Sequence, residues 1–169
     1  HGGKETLIHG ASTLTPVASL TYQSTAWALE MAAHNAFRQK PNAGVLNFDN
    51  ARSEHSRSIA SAVIERMATD SEPSLFSSKS RDSIDRAADF VITISTNEGS
   101  VSEDILNRSL PIHLDPVGDV AERTSPIGNP RLEYLPRHAS EMFAEALGMI
   151  ERWRAAGRRR DTSVKHPML

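Results

Sequence analysis

The chain has 169 residues, 38% hydrophobic and 24% charged, with 19 Lys and Arg against 21 Asp and Glu for a formal charge of −2. That length supports one domain with a real core plus tails, and the near-neutral balance excludes a global basic field for holding a nucleic-acid backbone. The absence of cysteine excludes disulfides and thiolate chemistry. No apolar run of about twenty residues exists, and His1-Gly2-Gly3-Lys4-Glu5 is no secretion leader, so a cytoplasmic chain with no membrane contact is expected.

In chain order, residues 16–24 lead into a helix over 25–40, rich in helix formers, with Ser24 or Thr25 as N-cap. Trp27, Met31 and either His34 or Asn35 follow one helical face, and Leu29, Ala32, Ala33 and Phe37 broaden an apolar stripe expected to lie on a sheet. Pro41-Asn42-Ala43-Gly44 stops the helix. Val45-Leu46-Asn47-Phe48-Asp49 then reads as a buried strand ending in Asp49-Asn50. Ile59, Ala60, Val63, Ile64 and Met67 predict an amphipathic helix over 56–68, closed by the turn residues 69–74. Leu75-Phe76 and the polar 77–82 read as an exposed strand end or loop. Residues 90–95 form a second strand, followed by the turn Glu98-Gly99-Ser100. Residues 102–108 fit a short helix capped by Ser100 or Ser102, with acids in its first turn. Leu110-Pro111-Ile112-His113-Leu114 is a third strand candidate. After Asp115 a Pro- and Gly-rich connector leads to a helix over 141–154, with Met142, Phe143, Ala146, Leu147, Ile150 and Trp153 on its apolar side. The basic Arg158-Arg159-Arg160 belongs to an exposed tail.

The alternation of strand and helix predicts an α/β fold: a three-layer core with a mainly parallel sheet and flanking helices, plus a C-terminal helix and basic tail. The core is expected over 1–154 and the tail over 155–169. In such a sheet, ligands sit beyond the carboxyl ends of the strands. Asp49 and Asn97, each at a strand end, can therefore meet at one site, although Asp-Asn and Asn-Glu-Gly are also ordinary turn formers.

Read as an ATPase site, Asp49 orients Mg²⁺ beside the nucleotide phosphates, since a hard cation wants oxygen ligands. Asn97 positions the attacking water. Arg108, at the end of its short helix, suits an arginine finger reaching a nucleotide on a neighbouring subunit; a surface ion pair or helix-end cation is the plainer use. Gly3-Lys4-Glu5-Thr6 is the one candidate for part of a phosphate-binding loop, with Gly3, Lys4 and Thr6 as its binding residues and Glu5 where the magnesium-binding hydroxyl belongs; an ordinary loop is the plainer reading. The seven histidines show no zinc-ligand spacing.

These residues resemble the ATPase core of AAA+ or superfamily III helicase-like P-loop proteins of phages, plasmids and integrated elements. The resemblance runs from about residue 15 to 153. Val45-Leu46-Asn47-Phe48-Asp49-Asn50 stands as a Walker B-like strand, Ile94-Ser95-Thr96-Asn97 as a sensor-like strand, and the segment from Ser102 through Arg108 to Ile112 as the finger-bearing one. It implies ATP and Mg²⁺ as cofactors, a homo-oligomeric ring, and DNA as the track. The chain departs from the pattern at Asn50, an amide where the usual acid activates water, and in the incomplete phosphate loop. The alternative is a non-catalytic α/β interaction module that keeps the sheet and uses its rims for partners.

Overall fold

The fold is built outward from Val45–Asp49, whose residues Leu46 and Phe48 are fully buried. A computed structural model describes residues 4–12, 15–51, 58–97, 100–114 and 128–159, with the side chains of residues 5 and 11 left aside. The chain divides into two compact units, Thr15–Ile112 and His1–Leu14 with His113–Leu169.

In the first unit, β1 (Val17–Thr21), β2 (Val45–Asp49) and β6 (Val91–Ile94) form a parallel sheet in the order β1-β2-β6. Ser19 lies opposite Asn47, and Asn47 opposite Thr93. The period-two alternation of strands then gives the sheet two unlike faces. Ala18, Leu46 and Phe48, flanked by Leu20, Ile92 and Ile94, join the hydrophobic core. The other face carries Ser19, Thr21, Asn47, Asp49 and Thr93. There Asn47, almost wholly buried, accepts a hydrogen bond from the Thr93 hydroxyl at 2.9 Å and donates a long one to Ser19 at 3.5 Å.

Two crossover helices cover the apolar face. In α2 (Ala26–Gln39), Thr25 caps the N-terminus by accepting from the Ala28 N–H, and Leu29, Ala33, His34 and Phe37 are buried. In α3 (Ala62–Thr69), Ser61 accepts from the Ile64 N–H and Val63, Ile64 and Met67 are buried. Between the end of α2 and β2, Gly44 donates to Thr15 Oγ1 at 2.8 Å, so close an approach that a Cβ at Gly44 would collide with that hydroxyl. Arg86 lies with its guanidinium 4.3 Å from the Phe37 ring centre and donates to the carbonyls of Pro41 and Ala43. It fastens the loop before β2 to α2.

Smaller pieces complete this unit. The parallel pair β3 (Ser58–Ile59) and β7 (Ser100–Val101) precede α3 and α4 (Glu103–Asn107) respectively. Ser102 caps α4 by accepting from the Ile105 N–H. An antiparallel hairpin, β4 (Ser74–Ser77) with β5 (Asp82–Asp85), packs along α2.

Four expectations from the sequence change here. The helix expected from residue 56 begins at Ala62, because Ser61 caps it and Ile59 is buried as a strand residue. The stretch 75–82, expected as an exposed strand end or loop, is the end of β4, with Leu75 and Ser77 buried, and the turn into β5. Trp27 does not face the sheet: it is 59% exposed and its indole N–H donates to Ser78 Oγ at 3.1 Å. Residues 110–114 form no strand; Leu110 and Ile112 are 74% and 67% exposed.

In the second unit, α1 (Lys4–Ala11) packs on the long helix α5 (Leu135–Ala155). A Cβ at Gly10 would lie 3.4 Å from Leu135 and 3.6 Å from Met142, ordinary packing distance, so the helices are close. Asn129 caps a π-helical turn, Pro130–Tyr134, accepting from the N–H groups of Arg131 and Leu132. The helix expected over 141–154 thus begins earlier, at Leu135, and none of its residues is fully buried. Among the described residues no helix is long and apolar enough to cross a membrane.

Candidate functional site

The central strand β2 delivers Asp49 to the carboxyl end of the sheet, and Thr21 of β1 lies opposite it. On the other side the chain leaving β6 is pulled against the same end. The Ser95 N–H donates to the Phe48 carbonyl at 2.9 Å, and the Ser95 carbonyl accepts from the Ala51 N–H at 2.8 Å. Its hydroxyl donates to Asp49 Oδ1 at 2.7 Å and accepts from the Asn50 N–H at 3.2 Å. All the polar groups of this buried serine are thereby engaged with residues 48–51.

Asn50 has a conformational reason to be asparagine. Its φ of 51° lies in the left-handed region, which Asn tolerates better than most residues. That turn aims the Asn50 N–H back at Ser95. Asp49 itself is exposed, and Ser95 bonds one of its two carboxylate oxygens. A carboxylate so placed can take a cation through one oxygen, with the remaining coordination filled by water and phosphate. Among the described residues no group of three or more His, Asp or Glu forms a metal cage.

The structure brings Asp49 and Asn50 together with the segment that ends in Asn97, which is exposed two residues beyond Ser95. Among the described residues, no hydrogen bond or ion pair joins Arg108 to Asp49 or Asn50. Arg108 closes α4, its N–H donating to the carbonyls of Ile105 and Leu106, and its exposed guanidinium has no ion pair among the described residues. Lys4 is the first residue of α1 and Thr6 lies in its first turn, within the other unit. Gly3 lies outside the described residues.

Ser95 is the site residue that the sequence reading passed over. A signal was available: Thr93 and Ser95 repeat, at period two, the polar positions Asn47 and Asp49 on the neighbouring strand. No protein-family model matches the sequence, and neither a search of curated proteins nor one of solved structures finds a match. The site therefore stands on its geometry.

Proposed function

We propose that this chain is the nucleotide-binding core of an ATPase of the helicase-like kind, with Asp49 holding the Mg²⁺ of a bound nucleoside triphosphate. The observation that carries the reading is the exposed Asp49 carboxylate at the carboxyl end of the middle strand, with one oxygen held by Ser95. In an open parallel sheet this is where ligands bind. Asn97 then lies toward the terminal phosphate, and the exposed guanidinium of Arg108 serves a nucleotide on a neighbouring copy in a ring. Such a ring working along DNA is the role that the resemblance supplies. Asn50 cannot take a proton from water, so hydrolysis at this site needs a base other than Asn50.

The test is titration of a fluorescent ATP analogue with and without Mg²⁺. Binding that needs Mg²⁺ and is lost in Asp49→Ala supports the reading. Binding that Asp49→Ala leaves unchanged, or none at all by the wild-type chain, refutes it. The second reading, a non-catalytic interaction module, is favoured by one observation: Asn50 puts a turn-forming amide at the position of a catalytic acid. It predicts no nucleotide binding in the same titration.

A further inference from the structure

We infer that Ser95 is the positioning residue of the metal site, fixing the Asp49 carboxylate so that Oδ2 faces an incoming Mg²⁺-nucleotide. The inference rests on the nucleotide reading above and adds to it the residue that gives Asp49 its geometry. An isolated aspartate on a strand end is free to turn about its two side-chain torsions, and its terminal torsion is broad. Here a donor 2.7 Å from Oδ1 removes that freedom. The donor is itself fixed, because the Asn50 N–H occupies a lone pair on the Ser95 oxygen and leaves the hydroxyl proton directed at the carboxylate. A hydrogen bond to an ionised acceptor is among the stronger kinds, and this one starts from a serine only 8% exposed.

The division of labour within Ser95 makes the idea testable. Its backbone bonds to Phe48 and Ala51 hold the strand ends together and survive any side-chain change. Its hydroxyl alone orients Asp49. Ser95→Ala therefore keeps the fold and loses the orientation, and a metal that must then select one of several carboxylate rotamers binds more weakly. Ser95→Thr keeps the hydroxyl.

The experiment measures binding of the fluorescent ATP analogue at rising Mg²⁺ for the wild-type chain, Ser95→Ala, Ser95→Thr and Asp49→Ala, each shown to be folded by circular dichroism. The Mg²⁺ concentration for half-maximal binding should rise about tenfold in Ser95→Ala, equivalent to about 1.4 kcal/mol, and return to within about threefold of wild type in Ser95→Thr. Nucleotide binding in EDTA should be the same in wild type and Ser95→Ala. If Asp49→Ala abolishes the Mg²⁺ dependence while Ser95→Ala keeps the wild-type midpoint, the positioning role is wrong and the nucleotide site stands. A Ser95→Thr variant as impaired as Ser95→Ala likewise removes the hydroxyl's role. Absence of nucleotide binding by the wild-type chain overturns both.

Discussion

Replacing Asn47 by Ala should cost this protein about 2 kcal/mol. Asn47 is 1% exposed in the middle of β2. Its Oδ1 accepts from the Thr93 hydroxyl at 2.9 Å, a bond of good length whose net contribution is about 1 kcal/mol. The contact to Ser19 at 3.5 Å is too long to count for much. Truncating the buried amide to a methyl adds about 1 kcal/mol of lost contacts and unfilled space. With a urea slope of about 2 kcal/mol per M, the midpoint falls by about 1 M at unchanged slope. Thr93→Val removes the same bond at constant shape and should cost about 1 kcal/mol. Because one bond cannot be lost twice, the double variant should cost about 2 rather than 3 kcal/mol, a coupling of about 1 kcal/mol. A midpoint for Asn47→Ala within about 0.2 M of wild type, or strict additivity in the double variant, would show that the Asn47–Thr93 bond does not hold the sheet together.

Two more perturbations follow from the packing. Arg86→Lys keeps the charge but loses the planar fork that bonds the Pro41 and Ala43 carbonyls and lies over Phe37. A loss of about 2 kcal/mol is expected in urea unfolding; less than about 0.5 kcal/mol would mean that lysine serves equally well. Burial raises the Tyr22 hydroxyl above its ordinary value of 10.0. The unfolded chain then ionises first, so the stability linked to this group is intact below pH 10 and is lost as pH climbs through the folded value. Tyr22→Phe should be within about 0.5 kcal/mol of wild type at pH 7, since the bond to Ala60 is a long 3.4 Å. Above pH 10 it should become the more stable of the two. Parallel loss of stability in both proteins across that range would contradict the assignment.

What the sequence reveals here depends on whether a segment's structure is decided locally. Residues 45–49 read correctly as a strand because four successive residues are buried, and the preceding helix announces itself through the Thr25 cap and the stop at 41–44. The helix at 103–107 is equally local, with Ser102 as cap and two acids behind it. Ile59 misleads because its spacing to Val63 and Ile64 suits a helical face, while only pairing with Val101, far along the chain, shows it to be a strand residue. The β4–β5 hairpin is obscured by its turn, Ser78-Lys79-Ser80-Arg81, which lacks the usual Asn-Gly or Asp-Gly signal and instead places Arg81 at a φ of 51°. Residues 110–114 show the reverse case: apolar alternation is present, but a strand exists only with a neighbour to bond. At the site, Asp49 is legible as a strand end, whereas Asn97 lies three residues beyond the end of β6. Ser95 is not legible, because its importance lies in four bonds to residues more than forty positions earlier.

The parallel register of the three-stranded sheet also sets how the chain must fold in time. Val17 meets Val45 across 45 − 17 = 28 residues, and Val45 meets Val91 across 91 − 45 = 46. No strand of this sheet can be started by a tight turn, so every rung waits on closure of a long loop. The β4–β5 arm, by contrast, closes within residues 74–85 and can form in microseconds. The hairpin can thus form before the sheet does, and Asp49 acquires its partner only when the chain after β6 brings Ser95 to it. Nucleotide binding at Asp49, if it occurs as proposed, would report completion of the fold.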